Sequence, residues 1–416
     1  MTVVLIALGS RGDVQPLATL AAEITRRGGS ALVLAPDDFA GLCAELGADF
    51  VPLGADSRDA VDMTHARFGK QLFGSIWGQS WLLRRWVRTV APVAARTAAD
   101  AVQPGDSVLA GVLARDLAAS LAQTRGARPL TVLFTGQLPT AFRESHFGFE
   151  FFRESAAYNR AGSRFGWRIA NSLGLPLGNA VRRRAGIRTR RARRATSDAD
   201  RHPVLIAASP LVVPTAPDWP ATARQTGYLT GPAPDVRAPA EVVDFLAAGK
   251  PPTYVGFGSL GPSGAHNDLG VVVAASRRSG IRIVTPAVGS ARPGLVDEGV
   301  LAIDPIAHSW LFPRMAGVVH HGGAGTTWAG LRSGVPSAAI PFGVDQPYHA
   351  HRLTSLGVGP DTFPVQQLSP ESLAGLLAAL TEGRYAARAS ELGTLARAED
   401  GLGATLAYLD EAGYLG

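Results

Sequence analysis

Residues 318–347, VVHHGGAGTTWAGLRSGVPSAAIPFGVDQP, decide how this chain is read. Val318 and Val319 are β-branched and close an apolar run, so the segment enters as a buried parallel strand directed at His320 and His321. Gly322, Gly323 and Gly325 permit close backbone approach and positive φ, and Thr326 and Thr327 bring hydroxyls to a helix expected over Trp328–Ser333. A helix N-terminus offers unpaired N–H groups and the positive end of the macrodipole, which together suit an anion such as a diphosphate. Gly334, Val335 and Pro336 stop the helix, and Ser337–Ile340 reads as the next strand, with Pro341, Phe342, Asp345 and Gln346 at its exit. A carboxylate beside a carboxamide suits sugar hydroxyls, the first accepting and the second both donating and accepting. On glycine spacing alone, a tight connection with no ligand explains the turn equally well.

The beginning of the chain repeats the pattern. VVLIAL at 3–8 reads as a buried strand, followed by Gly9, Ser10, Arg11, Gly12 and Asp13, with Pro16 opening a helix to about Arg27. The glycines do not fit the G-x-G-x-x-G turn of a nicotinamide-dependent dehydrogenase. Asp13 is either a helix cap or a group that handles a proton.

The 318–347 string resembles the donor-binding signature of family 1 glycosyltransferases, especially bacterial natural-product enzymes of the vancomycin group, and the related sterol glucosyltransferases. IDPIAHSWLFPRM at 303–315 and GSRGD-x-x-P at the N-terminus are similar to further motifs of the same family. The resemblance implies the GT-B architecture: two facing Rossmann-like α/β domains, an interdomain cleft and a C-terminal helix that crosses back. It implies inverting transfer from a nucleotide sugar, with no cofactor and no catalytic metal. Carried over by motif, Asp13 is the general base in an acceptor-side turn with Ser10, Arg11 and Gly12. His320, Gly323, Ala324, Gly325 and Thr326 hold the donor diphosphate, and Asp345 with Gln346 holds the donor sugar. Ile303 marks the region whose backbone meets the nucleobase, while Trp310 packs beneath the site. Ser259, in YVGFGSLG, is a further diphosphate ligand on this reading and a plain turn serine on the other.

A base at a helix start carries opposing influences: the dipole favours its carboxylate, and a bound apolar acceptor disfavours it. Asp13 is therefore expected to act with both substrates aligned. The diphosphate leaving group is expected to be met by fixed N–H donors in place of a metal ion.

Composition agrees with a large globular chain. At 416 residues it suits two domains of about 200 residues each. Apolar residues make up 46% and charged residues 18%, which excludes a disordered chain. Cys43 is the single cysteine, so a disulfide framework is excluded and a reducing cytoplasm is the expected compartment. Met1 leads directly into the first strand, no signal peptide is expected, and no apolar run has membrane-spanning length. Net charge is +6, yet Lys70 and Lys250 are the only lysines, so the arginine excess looks like coding bias and nucleic acid is not an expected partner. RRRAGIRTRRARR at 182–194 is either a solvated helix face or a site for an acidic acceptor or anionic membrane.

The expected organisation is an acceptor-binding domain over 1–209, a Pro-rich linker over 210–239, a nucleotide-sugar domain over 240–400 and a returning helix over 401–416. Two aromatic-rich stretches interrupt the first domain. One holds Phe68, Phe73, Trp77, Trp81 and Trp86, and the other holds Phe142, His146, Phe147, Phe149, Phe151, Phe152, Tyr158 and Trp167. They suit a bulky aglycone, and equally ordinary core packing. Asp198-Ala199-Asp200 is a DxD triplet, but it follows an arginine run whose charge it offsets. His349 and His351 project about 200° apart on a helix, and no metal site is expected. The function expected is sugar transfer from a TDP- or UDP-sugar to a hydroxyl of an antibiotic-type aglycone. The alternatives are a sterol or lipid acceptor, and a catalytically silent auxiliary homologue.

Overall fold

The computed structural model describes residues 1–57, 76–257, 265–287 and 292–415. The chain divides into two compact units, residues 1–231 with 400–416, and residues 232–399.

The first unit is built on strands β1 (Val3–Ile6), β2 (Ala31–Ala35), β3 (Phe50–Pro52), β4 (Ser107–Ala110), β5 (Arg128–Leu133), β6 (Val204–Ile206) and β7 (Ala223–Gln225). Their order is β3-β2-β1-β4-β5-β6-β7, and every neighbouring pair is parallel. Helices α1 (Arg11–Arg26), α2 (Ala40–Leu46), α3 (Ile76–Ala101), α4 (Arg115–Arg125), α5 (Ala156–Arg184) and α6 (Ala192–Ala199) accompany them. Strand alternation sets two cores. Val3 and Leu5 of β1 pack with Leu17, Leu20 and Ile24 of α1, whereas Val4 and Ile6 pack with Val87 and Ala94 of α3 and Leu117 of α4.

The second unit holds β8 (Thr253–Gly256), β9 (Ile283–Pro286), β10 (Gly294–Asp297), β11 (Val300–Ile303), β12 (Gly317–His320) and β13 (Ser337–Ala339) in the order β10-β11-β9-β8-β12-β13. All pairs are parallel except the β10–β11 hairpin. Its helices are α7 (Ala240–Ala247), α8 (Ala265–Ser279), α9 (His308–Leu311), α10 (Ala324–Ser333), α11 (Gln346–Ser355), α12 (Pro370–Thr381) and α13 (Ala386–Ala398). In both sheets the strand order reverses beside the first strand of the unit, between β1 and β4 and between β8 and β12. Ligands of open α/β sheets bind beyond the carboxyl ends of strands at such reversals.

The last helix, α14 (Gly401–Glu411), belongs to the first unit. Leu402, Leu406 and Leu409 enter the α1-side core, and Thr226 and Thr405 hydroxyls lie 2.7 Å apart. Arg128 donates to the carbonyls of Ala412 and Gly413.

Several boundaries differ from the sequence reading. Residues 210–231, read as part of a linker, pack with the first unit, because β7 completes its sheet and Leu229 enters its core. Helix α1 begins at Arg11 and carries Pro16 in its interior, because Ser10 and Asp13 form a capping box ahead of the proline. Helix α10 begins at Ala324 and not at Trp328, with Gly323 as its N-cap in extended conformation. Strands β3 and β10 were not anticipated. Both are short edge strands, one ending in proline and the other with Leu295 exposed.

Candidate functional site

In the second unit, buried β12 delivers His320 and His321 to the start of α10. His320 is wholly buried, and its Nδ1 accepts the N–H of Gly322 at 3.0 Å. That bond places the ring proton on Nε2, a buried donor with no partner among the described residues. Burial, and then the neighbouring histidines, hold His320 well below the usual histidine range, so it is a neutral N–H donor. His321 points elsewhere, as alternation along an extended chain requires. It is partly exposed, and a Cβ built on Gly323 would stand 2.5 Å from its Nε2. The His321 ring thus lies against the N-cap of α10. Burial pulls it down to about 4, opposed by the charge of Asp345.

Gly323 provides no side-chain cap, so the first turn of α10, with Ala324, Gly325 and Thr326, keeps its N–H groups for another partner. Gly322 has φ +91°, and a Cβ there would meet the Gln346 carbonyl oxygen at 2.9 Å. Glycine is required both for the backbone conformation and for the approach of α11. Thr327 is buried within the helix, its hydroxyl without a partner among the described residues.

Asp345 is the N-cap residue of α11 but makes no side-chain cap bond, and its Oδ2 lies 3.4 Å from His349 Nε2. The residue before it, Val344, has φ +56° and is 64% exposed, a left-handed conformation that β-branched residues avoid. Gln346 is buried, and its Oε1 accepts the Phe342 N–H at 2.7 Å. One of the two lone pairs of the Gln346 amide oxygen is therefore committed to the fold; the amide also carries two N–H donors. Ile303 ends β11, buried, with its carbonyl taken by Ala287 N–H at 2.8 Å. Trp310 packs against the core beneath and carries the Arg314 guanidinium 4.2 Å from its ring centre. Ser259 lies outside the described residues.

In the first unit, the β1–α1 turn presents Asp13. Its Oδ2 accepts the Ser10 N–H at 2.9 Å and lies 3.3 Å from the Ser10 hydroxyl. A Cβ on Gly9 would collide with that carboxylate, so glycine is needed there for contact and not for φ. Gly12 donates to Ser10 Oγ at 3.3 Å, and Arg11 is exposed with its Nε on Gln15. Asp13 is thus both a cap and partly exposed. Tyr228 was missed by the sequence reading because it sits in the presumed linker. Burial, and then the nearby charge of Asp13, push its phenol up, which keeps a neutral O–H in the neighbourhood of Asp13.

The aromatic stretches divide. Trp86, Phe149 and Trp167 are core, while Trp81, Phe142, Phe151 and Tyr158 are exposed. Phe68, Phe73 and the Trp77 side chain lie outside what is described. His146 is buried between Phe147 and Phe152, its Nδ1 accepting Gly148 N–H at 2.9 Å and its Nε2 unpartnered. Burial takes it down to about 4. Asp200 of the DxD triplet binds Arg115 and the Trp167 indole N–H, each at 2.9 Å, a structural assignment. Among the described residues, no three His, Cys, Asp or Glu side chains are grouped to hold a metal, and no helix is long and apolar enough to cross a membrane.

Comparison with known proteins gives the same direction. The family described as erythromycin biosynthesis protein CIII-like, C-terminal domain, matches residues 281–400. The vancomycin aglycone glucosyltransferase of Amycolatopsis orientalis is 30% identical over 406 residues, 95% of this chain and 94% of that protein. Two other relatives match over shorter parts. The O-mycaminosyltylonolide 6-deoxyallosyltransferase of Streptomyces fradiae is 36% identical over 50% of this chain and 49% of that protein. The sterol 3-beta-glucosyltransferase UGT80A2 of Arabidopsis thaliana is 35% identical over 48% of this chain, and the match spans 32% of its length. Among solved structures, the glycosyltransferase VinC in complex with dTDP superposes with TM-score 0.66 at 22% identity, covering 100% of both chains. The chain belongs to the GT-B-fold glycosyltransferase family that contains the vancomycin-group enzymes.

Proposed function

We propose that this protein transfers a sugar from a TDP- or UDP-sugar to a hydroxyl of a natural-product aglycone, inverting the anomeric centre without a catalytic metal. The observation that carries the reading is the α10 N-terminus, whose N-cap Gly323 has no side chain to cap it, at the strand-order reversal and overlaid by a histidine ring. In the reaction, the acceptor oxygen bonds to the anomeric carbon as the bond from that carbon to the diphosphate breaks. The acceptor proton passes to Asp13, and the electron pair leaves with the diphosphate. Negative charge developing there meets N–H groups of Ala324, Gly325 and Thr326 and a neutral histidine, donors already oriented before reaction. His321 lies against the helix start, and buried His320 is a second neutral N–H donor in the same segment. Asp345 accepts from sugar hydroxyls, and Gln346 donates to them through its amide.

VinC was solved with dTDP, and the vancomycin and tylonolide relatives are named for antibiotic acceptors, which supports the same donor and acceptor classes here. Incubation with TDP- and UDP-sugars and a panel of hydroxylated aglycones, followed by mass spectrometry and NMR of the anomeric centre, tests the reading. Glycoside with inverted configuration is expected. Retained configuration would overturn single displacement.

A further inference from the structure

The positive charge of this chain is not spread over it. Between Glu154 and Asp198 lie 43 residues with 11 arginines and no acidic residue. The rest of the chain carries 29 basic against 34 acidic residues, so the whole net +6 arises in α5, the following turn and α6.

The local fold turns most of this charge outward. Arg182 is the exception, buried in a two-point pair with Asp116 at 2.8 and 2.9 Å. Helix α5 then ends on Gly186 at φ +70°, and Asn179 clasps the backbone N–H and carbonyl of Arg190 at 2.8 and 2.9 Å. The turn is thereby fixed and not loose. Arg183, Arg188, Arg191, Arg193 and Arg194 are exposed, and among the described residues none of the five pairs with a carboxylate. Arg190 is pulled down by burial and then by the charges of Arg182 and Arg194, against the opposing charge of Asp116.

The same helix carries a second signal. Tyr158 and Phe165 are 55% and 57% exposed and stand seven residues apart, two turns along one face. Phe165 and Arg183 are eighteen residues apart, which is five full turns, so aromatic rings and arginine share the outward side of α5. The opposite side, with Ser163, Trp167, Asn171 and Val181, is buried. No aromatic residue stands between Trp167 and Ser197, so the arginines lack the interleaved rings of a single-strand nucleic-acid groove. Exposed aromatic rings and an arginine along one outward helix face, followed by a cluster of exposed arginines, are the pattern of a surface that lies on anionic lipid.

We propose that the outer face of α5, with the arginines of the following turn and α6, docks this enzyme peripherally on an anionic lipid bilayer. Each arginine near such a surface contributes about fivefold in partitioning, and the attraction is screened as the Debye length falls from about 10 Å at 0.1 M salt to about 3 Å at 1 M. The test is co-sedimentation of the full chain with vesicles of phosphatidylglycerol and phosphatidylcholine, beside vesicles of phosphatidylcholine alone. Binding to the acidic vesicles only, released by salt, is expected. The variant R183Q/R188Q/R191Q/R193Q/R194Q should lose at least about a hundredfold in partitioning with its thermal midpoint unchanged. If that variant does not fold, Y158S/F165S provides the second measure and should weaken binding to acidic vesicles at fixed salt. Absence of binding to acidic vesicles, equal binding to neutral ones, or undiminished binding by both variants would overturn the proposal. Tighter binding to short DNA duplexes than to acidic vesicles would assign the surface to nucleic acid and overturn it as well.

Discussion

Replacing Gly323 by alanine isolates the His321 contact from the fold. Gly323 has φ −62° and ψ 144°, a conformation alanine adopts without strain, so the backbone need not change. The added methyl would stand 2.5 Å from His321 Nε2. Ordinary contact needs roughly another 1 Å, and the ring, being the mobile partner, would withdraw by that amount. A hydrogen bond of about 2.9 Å lengthened by 1 Å is no longer one. With a charged diphosphate as acceptor, the loss is about 1.5–3 kcal/mol, or roughly 10- to 150-fold in affinity. Calorimetric titration with TDP and UDP reads the effect, and thermal unfolding reads the fold. A Gly323→Ala protein that melts near the parent and binds nucleoside diphosphate with undiminished affinity would refute the role of the His321 ring.

Other expectations separate the remaining parts. His320→Ala should also weaken diphosphate binding, by about 1–3 kcal/mol for a lost buried donor, and unaltered affinity in a folded variant would free His320 from the site. Asp345→Ala should lower kcat/KM roughly tenfold or more through lost sugar hydroxyl contacts while sparing bare TDP affinity; equal losses for both would make Asp345 a support of the fold. Asp13→Asn keeps the Ser10 contact geometry but removes the base, and turnover should fall about 10²–10⁴-fold, which near-parental turnover would contradict. His146 titrates near 6.5 when unfolded and near 4 when buried, so its contribution is complete above pH 6.5 and declines as pH falls towards 4. That loss is on the order of 3 kcal/mol. His146→Asn should flatten thermal stability across that window, and an unchanged pH profile would count against burial of the neutral ring.

What was legible in the sequence was the strand-turn-helix order, because buried parallel strands read as continuous Val, Ile and Leu runs and glycines mark where the backbone bends. Val3–Ile6 and Gly317–His320 are of this kind. Helix starts were less legible. Ser10 and Asp13 close a capping box that outranks Pro16 as a start signal, and Gly323 caps α10 without any side chain to announce it. That the His321 ring lies against the α10 N-cap depends on the local path of the Gly322–Gly323 turn, which glycine spacing alone does not encode. Gln346 was read for its chemistry, yet its oxygen is bonded to the Phe342 N–H, a local contact visible only in three dimensions. Tyr228 comes near Asp13 through a chain segment more than two hundred residues away, and Asp200 meets Arg115 and the Trp167 indole from 85 and 33 residues away in the chain.

Hydrogen exchange of the backbone amides with and without TDP reports at the site itself whether a nucleoside diphosphate sits on the α10 N-terminus. Peptides covering Gly322–Trp328 should gain protection on addition of TDP and none on addition of NAD, since the diphosphate would occupy N–H groups that the helix leaves unpaired. Protection confined to other segments, with the 322–328 amides exchanging at the same rate in saturating TDP, would contradict the account.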